Sequence, residues 1–471
     1  MSSFCVKRIA IIGAGPAGLS AARYLIHQQA FESIVIFEQQ AEVGGVWNYS
    51  KEPSKITRAP QTDPLSPPDP PVLPKDDKEA PIFPTPMYDD LNTNIPHSLM
   101  NFSDLPFPEG SIIFPPRQAV QSYLLTYSEP LRNIIRLCTK VNNVRLFKGD
   151  TGHDKWEVDS QHTVSAAVES ETFDAVVVAS GHYALPYVPR MKGIAEFHAR
   201  YPGIISHSKT YRDNSPFIGK QTVVVGNAAS GLDIARQINT VCHKPLLISA
   251  QHPAPQPQLE HTGGQEVPEI EEFLLEGPPA VRFKNGQVEQ VDAVLFCTGY
   301  LFSFPFLDNT MLGDPPVVNT GRRVQGLYRH IFHIRHPTIV FPGLPIKAVP
   351  FPVCEGQAAV ISRVWSNHLS LPPVPEMREW EKKELEIRGE AMHVFPSGGD
   401  IDYINSMHEW AMEATESKGK KPPIWEGELI WERNTYKNAK LAFEKQGRSA
   451  KSLTEIGFGY DPNAPILVSN F

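Results

Sequence analysis

KRIAIIGAGPAGLSAARYLIHQQAFESIVIFE, residues 7–38, is the stretch whose reading decides the fold. Lys7 to Ile12 is short, apolar and rich in isoleucine, as a strand buried on both faces of a parallel sheet should be. Gly13, Gly15 and Gly18 follow, with Ala14, Pro16 and Ala17 between them, and spell G-x-G-x-x-G. A helix-period run through Leu19, Ala22, Leu25 and Ile26 comes next, then a second apolar strand, Ile34 to Phe37, ending on Glu38. Each part has a physical task. Gly13 allows the tight turn, Gly15 lets backbone approach a pyrophosphate, and Gly18 lets helix and strand pack closely, with the helix N-terminus facing the anion. Glu38 stands where a carboxylate can accept both ribose hydroxyl protons of an adenine dinucleotide. Strand, loop, helix, strand and acid in register are a strong signal, although the stretch alone leaves open which dinucleotide it holds.

The pattern occurs twice. QTVVVGNAASGLDIA, residues 221–235, gives a second strand, small-residue loop and helix, and Pro245 to Ala250 gives the next strand. Gly226 and Gly231 fill the first and third glycine positions, while Ala228 replaces the middle one and pushes a pyrophosphate slightly outward. Each copy is closed by an apolar strand that ends in small residues: Ala175 to Ala179 before Ser180-Gly181, and the VDAVLFCTGY run of 291–300. The expected fold is α/β, with two Rossmann-like dinucleotide-binding domains, the second inserted into the first. The expected boundaries are 1–186 for the first part of the larger domain, 187–301 for the inserted domain, and 302–471 for the remainder plus helices.

Composition narrows the class. The chain has 471 residues, 41% of them hydrophobic and 20% charged, with net charge −8, which argues against a nucleic-acid partner. No apolar run reaches the ~20 residues of a membrane span, and the tail APILVSNF is too short to anchor the chain. MSSFCVKR lacks a signal-peptide core, and the five cysteines are scattered singly without metal spacing. A cytoplasmic protein with ordinary thiols and no metal is the expectation.

Elsewhere, Gly44-Gly45 predicts a sharp turn carrying Val46 and Trp47. Pro53 to Pro86 predicts an extended, surface-hugging insertion along the first domain. A helix is predicted from about Gln118 to Tyr127, and a small β meander from Val141 to Phe147 and Lys155 to Val158. Another helix is predicted from near Glu355. Beyond residue 375, Trp380, Trp410, Trp425 and Trp431 mark helices packing on the first domain, and KGKK (418–421) reads as a solvated loop. Those helices could also form a homodimer interface.

Two nucleotide folds in one chain imply a hydride donor and a flavin. The flavin's outlets are a disulfide, a protein or quinone acceptor, or molecular oxygen. No close cysteine pair and no iron–sulfur set is present, which leaves oxygen as the leading route. Tyr201-x-Gly203-x-x-x-His207-x-x-x-Tyr211 lies between the two glycine loops. With GAGPAG, Glu38, GGVWNY, TNIP (93–96) and CTGY, it resembles the flavin-containing monooxygenases of fungal type over nearly the whole chain. Related Baeyer–Villiger enzymes carry tryptophan where Tyr211 stands, so the resemblance implies oxygenation of nitrogen or sulfur.

The resemblance implies FAD in the first fold and NADPH in the second. O2 would form a flavin C4a-hydroperoxide that a nucleophilic small molecule attacks. It places Gly13 to Gly18, Glu38, Gly45, Val46, Trp47, Asn94, Ile95, Val141 and Gln357 at FAD. Thr93, Asn94, His207, Tyr211, Gly226, Ala228, Ser230, Gly231 and Asp233 fall to NADPH. Asn94 would lie beside flavin and nicotinamide, as an amide able to donate and accept at once. Gln357, at a helix start near the flavin's pyrimidine edge, would stabilise charge on the reduced ring. His207 reads as structural, fixing the linker. Two departures stand out: Ala229 replaces an asparagine frequent in the family, and SAQHP (249–253) carries no arginine for a 2′-phosphate. Three alternatives remain: a flavin oxidoreductase or oxidase making H2O2, a Baeyer–Villiger-type enzyme, and a nucleotide-sensing module with degenerate loops.

Overall fold

A computed structural model describes residues 3–54, 57–76, 79–150, 152–308 and 310–463; the tail 464–471 lies outside them. β1 (Arg8–Ile12) leads into α1 (Pro16–Gln28) and β2 (Ser33–Phe37), and β1 and β2 pair in parallel from Arg8–Ser33 to Ile12–Phe37. α2 (His97–Met100) and α3 (Arg117–Ser128) follow, and β3 (Ile135–Arg136) extends the sheet beside β2. The meander has one strand more than expected: β4 (Thr139–Lys148), β5 (Asp154–His162) and the polar β6 (Val168–Phe173). β7 (Ala175–Val178) then pairs in parallel with the other side of β1.

β8 (Leu185–Pro186) carries the chain out of this sheet. The inserted fold comprises α4 (Ile194–Arg200), β9 (Ile205–His207), β10 (Gln221–Val225), α5 (Ala229–Asn239) and β11 (His243–Ser249). It continues through α6 (Gln256–Thr262), β12 (Gln265–Val267), the antiparallel β13 (Ile270–Leu274), β14 (Ala280–Phe283) and β15 (Val288–Gln290), and β16 (Ala293–Phe296). Its parallel sheet runs β12-β11-β10-β16-β9. β17 (Tyr300–Leu301) returns antiparallel to β8, Tyr300 opposite Pro186. Departure and return thus lie side by side. β18 (Leu327–Tyr328), β19 (Phe332–His333) and β20 (Ile339–Val340) rejoin the first sheet, whose order is β18-β19-β20-β7-β1-β2-β3.

α7 (Pro350–Trp365) packs between α1 and α9 (Gly399–Met412), and every residue from Phe351 to Trp365 is buried. Its long apolar run needs such cover, and its charged and amide side chains, Glu355, Gln357 and Arg363, find partners there. It starts at Pro350, more than a turn before the expected Glu355, because Pro350 and Pro352 sit in the first turn, where a missing N–H is harmless. α8 (Val374–Arg388) and α10 (Gly427–Lys445) complete the helical end. Trp425 is buried, and Trp380 and Trp410 meet Tyr328 edge-on at 5.5 and 5.8 Å.

Two surface expectations are corrected. In KGKK, Lys420 turns inward to the fully buried Glu355 and to Asp104, 3.3 Å away, while Arg363 donates to the carbonyls of Gly419 and Lys420. A carboxylate at 0% exposure requires a counter-charge, and this lysine supplies it. The proline-rich insertion is extended, with Val72 bridging Ile82, but it spans both folds. Gln61 pairs with Val188, Ser303 donates to the Pro64 carbonyl at 2.7 Å, and Gln40 donates to the Phe83 carbonyl at 2.7 Å. Lys55, Ile56, Asp77 and Lys78 of this segment lie outside the described residues.

Candidate active site

The first glycine loop is shaped by backbone contacts that exclude any side chain. Gly13 has φ +104°, and a Cβ there would lie 2.5 Å from the Ala179 carbonyl oxygen. A Cβ on Gly18 would lie 1.9 Å from the Gly13 oxygen. Gly45, at φ +57°, comes down on Gly15 so closely that its Cβ would sit 2.9 Å from the Gly15 Cα. The Gly44-Gly45 turn and the short 3-10 turn through Trp47 therefore cover the loop, as expected. α1 begins at Gly15 with no side-chain cap and with proline in its first turn, so its first amides are left for an outside acceptor. The uncapped helix start and the glycine cradle fit a dinucleotide pyrophosphate.

Glu38 is buried at the end of β2. Its carboxylate accepts from the amides of Ala14 (2.8 Å) and Gln40 (2.9 Å). Burial raises its pKa, and those amide hydrogen bonds oppose the rise. A carboxylate has about four lone-pair sites, so the group holds the loop and keeps acceptor capacity for a ribose. Val141 belongs to the buried cluster of Ile12 and Phe37, behind the strand that carries Glu38, so the contact implied by resemblance becomes one of support.

The second loop repeats this geometry. Gly226 has φ +104°, its Cβ would lie 2.7 Å from the Cys297 carbonyl oxygen, and a Cβ on Gly231 would lie 2.1 Å from the Gly226 oxygen. Ala228 is the uncapped N-cap of α5, and Ala228, Ala229 and Ser230 are exposed. These residues fit a second pyrophosphate. Asp233 is corrected: its carboxylate accepts from the Tyr88 hydroxyl, from Gln237 at 3.1 Å and from Arg236 at 3.0 Å. It braces the helix rather than facing phosphates, which an anion would repel.

The exit turns of the two folds converge on the β8–β17 pair. Gly181 (φ +71°) precedes His182, and Gly299 (φ +82°) precedes Tyr300. Rings run across the junction: His182 to Tyr183 at 4.4 Å, Tyr183 to Tyr300 at 5.3 Å, Tyr300 to His207 at 5.2 Å. His207 is 2% exposed, donates from Nε2 to the Gly299 carbonyl at 3.1 Å and accepts at Nδ1 from the Lys209 amide at 3.1 Å. Burial, with Lys209 nearby, lowers its pKa to about 3, so it is neutral, and both ring nitrogens are committed to the backbone rather than left for NADPH. Tyr211 is corrected: it is buried in the core of the inserted fold, donates to Gln237 at 3.0 Å and lies edge-on to Tyr88. Its hydroxyl is already used by Gln237.

Between the folds runs the segment with Asn94. Tyr88 reaches Asp233 of α5, Thr93 donates from its amide to the Pro115 carbonyl at 2.9 Å, and the Thr93 hydroxyl bonds the Ile95 carbonyl at 2.8 Å. Thr93 is buried, whereas Asn94 is exposed on this anchored turn and its amide makes no hydrogen bond among the described residues. Gln357 is corrected. It lies inside α7 at 0% exposure, accepts from the Gly343 amide at 2.8 Å and donates to the Tyr403 hydroxyl at 2.9 Å. A Cβ on Gly343 would stand 3.2 Å from the Ala17 Cβ, so Gln357 fixes the turn packed on the start of α1. The helix N-terminus at Pro350 is remote from it in the chain.

Two residues went unread in the sequence. Arg212, 7% exposed, donates to the carbonyls of Ser50 (2.7 Å), Thr85 (3.0 Å), Lys209 (3.1 Å) and Tyr211 (2.8 Å). Ser50 precedes the proline-rich insertion and Thr85 stands at its far end, so one guanidinium closes its base on the linker. Lys209 pairs with Asp69 at 2.7 Å, both side chains 5% exposed, and pins its middle. The run SHSKTYR (206–212) carries both cations, but nothing local tells a buried cation from a solvated one.

These features define a protein with two dinucleotide cradles that meet at one junction, and comparison with known proteins narrows it to an NADPH-dependent flavin monooxygenase. A sequence model described as flavin-binding monooxygenase-like matches residues 79–254 and 268–426, and one described as an NAD(P)-binding Rossmann-like domain matches residues 11–62. The chain is 34% identical over 398 residues to flavin-containing monooxygenase FMO GS-OX1 of Arabidopsis thaliana, covering 80% of this chain and 78% of that protein. It is 29% identical over 440 residues to the thiol-specific monooxygenase of Saccharomyces cerevisiae, covering 91% of each. The structure of S-allyl-L-cysteine S-oxygenase from Allium sativum is similar with TM-score 0.74 and 28% identity, covering 98% of this chain and 97% of that one. The chain belongs to the flavin-binding monooxygenase-like family, and its cofactors are FAD and NADPH. No helix among the described residues is long and apolar enough to cross a membrane.

Proposed function

We propose that this chain oxygenates a soft nucleophilic sulfur or nitrogen of a small molecule, sulfur foremost, with FAD in the first glycine loop and NADPH in the second. The observation that carries the reading is the pair of matched cradles whose exit turns meet at one junction. Sulfur is favoured because the yeast relative is thiol-specific and the garlic neighbour is an S-oxygenase. FAD held in the first loop would supply O2 activation and oxygen-atom transfer, the chemistry a side chain cannot provide, with the nicotinamide as its source of electrons.

The chain's own residues bind, orient and exclude water. Glu38 and the α1 N-terminus hold the ribose and pyrophosphate; Gly45, Val46 and Trp47 close over them. Ser230 and the α5 N-terminus hold the second pyrophosphate. Asn94, with its unused amide on a fixed turn, donates to one cofactor and accepts from the other. Neutral His207 keeps the linker in place and moves no proton. The domain limits fall at 186/187 and 301/302, beside the paired crossing strands. A cytoplasmic location is supported by five unpaired thiols, and α10 with Trp431 offers a homodimer face.

The test is 18O2 turnover of a thioether with purified FAD-loaded protein. One labelled sulfoxide per NADPH is expected. Peroxide in stoichiometric amount with unlabelled thioether would instead establish an oxidase. Asn94→Ala should retain FAD yet divert at least half of the NADPH to peroxide; unchanged coupling would remove the role given to Asn94.

A further inference from the structure

The two folds superpose in logic closely enough to read the second ribose site from the first. The Gly13 amide donates to the Phe37 carbonyl at 2.8 Å, and the Gly226 amide donates to the Ser249 carbonyl at 2.8 Å. The residue after Phe37 is Glu38, so the residue that reads the ribose in the second fold is Ala250. It has no side chain to read with. Beyond it the loop continues Gln251-His252-Pro253, all exposed, and the side chains of Gln251 and His252 make no hydrogen bond among the described residues. No lysine or arginine occurs from Ser249 to Ala254.

The loop's conformation is set from below. The side chain of Asn227, which follows Gly226 as Ala14 follows Gly13, donates to the His252 carbonyl at 2.6 Å, whereas in the first fold it is the Ala14 backbone amide that ties the loop, to Glu38. Glu266, on the neighbouring β12, accepts from the Ala254 amide at 2.7 Å and from Asn227 at 3.4 Å. This carboxylate is the charged group tied into the loop, and its sign opposes a phosphate. Lys284, just beyond β14, is committed to Glu269, and Arg236 of α5 is turned to Asp233 and Glu444.

We propose that the second fold accepts NADH as well as NADPH, because its ribose site carries neither a carboxylate for a 2′,3′-diol nor a guanidinium for a 2′-phosphate. Gln251 and His252 contact the 2′ position as neutral hydrogen-bonding groups that serve a hydroxyl and a phosphate alike, and Glu266 withholds any advantage from the phosphate's charge. Selectivity is a difference of affinities, and here neither ligand meets a charged partner that the other lacks. The proposal rests on the assignment of the nicotinamide nucleotide to this fold.

Calorimetric titration of the FAD-loaded protein with ADP-ribose and with 2′-phospho-ADP-ribose separates the two layers. Dissociation constants within about tenfold of each other are expected, and kcat/KM for NADH and NADPH should differ by no more than that. A preference for the phosphorylated ligand of about 100-fold or more, the scale of an arginine–phosphate contact, would overturn the proposal. Binding of neither ligand would overturn it together with the nicotinamide assignment, whereas tight, selective binding would leave that assignment standing. Gln251→Arg should raise preference for the 2′-phosphate about tenfold or more, and Glu266→Gln, which keeps the acceptor for the Ala254 amide, should raise it by a smaller factor. Flavin content serves as the control for folding and should be unchanged in both variants.

Discussion

The two glycine loops share a backbone and differ in what surrounds it. φ is +104° at both first glycines, and each third glycine presses on the carbonyl of the first. The first loop is covered, with Ala14, Gly15 and Gly18 buried, roofed by Gly45 and tied to Glu38 through the Ala14 amide. The second is open, with Ala228 to Ser230 exposed, and the place of Glu38 is taken by Ala250. A covered, carboxylate-latched cradle suits a cofactor that stays; an open one suits a cofactor that must leave after each turnover. On the proposed assignment, the same turn serves a resident in the first fold and a visitor in the second.

The sharpest way to break this comparison is to add one methyl group to each cradle. Gly18→Ala should give protein without FAD, since its Cβ has no room beside the Gly13 oxygen. Gly231→Ala should leave FAD content intact but raise KM for NADPH by about 100-fold. Equal FAD loss in both, read from the flavin absorbance, would mean the two loops do not serve separate ligands. Next in size, Glu38→Ala should weaken FAD retention by about 2–3 kcal/mol, the worth of charged hydrogen bonds to backbone and ribose. Dialysis against apo-protein standards would show it, and parent-like retention would remove Glu38 from the ribose.

The insertion that straps the two folds together gives a comparable test of stability. Arg212→Ala leaves four buried carbonyls without their donor. It should cost about 3 kcal/mol and expose residues 53–86 to trypsin; an unchanged denaturation midpoint and digestion pattern would contradict the strap. A further effect is graded by pH. His207, His333 and His393 are buried, and burial is the main cause holding each pKa at about 3. His393 also meets His330 through their Nδ1 atoms at 2.9 Å, which requires at least one neutral ring. An unfolded imidazole titrates near ~6.5. Because the folded values are lower, their stability contribution is complete above about pH 6.5 and is lost as pH falls toward 3. The slope is about 1.4 kcal/mol per pH unit for each residue that must stay neutral. A melting temperature flat between pH 7 and 5 would refute that.

Much of the architecture was legible because it is local. Gly13 and Gly18 act on one another across five positions of chain, and β1 and β2 flank them directly. The insertion of one fold in the other was legible from the repeated strand-then-glycine exits, which the β8–β17 pair explains. The site was less legible where a side chain's partner is distant in sequence. Tyr211 matches a family motif position, yet Gln237 and Tyr88 draw it into the core. Asp233 fits the motif of a phosphate-facing helix start, yet Tyr88 and Arg236 claim its oxygens.

By itself the sequence determined the α/β class, the two nucleotide cradles, Glu38 as the acid that separates them, and the family. Spacing of glycines and apolar residues dictates short-range backbone geometry, and short-range geometry is what those features consist of. Only the tertiary structure decided that Gln357 lies inside a buried helix and that Lys420 points at Glu355. It alone showed that Arg212 closes the base of the proline-rich segment and that Ala250 occupies the ribose-reading position. Whether a charged or amide side chain faces water or another group depends on what the rest of the chain brings beside it, and burial alone makes that pairing obligatory.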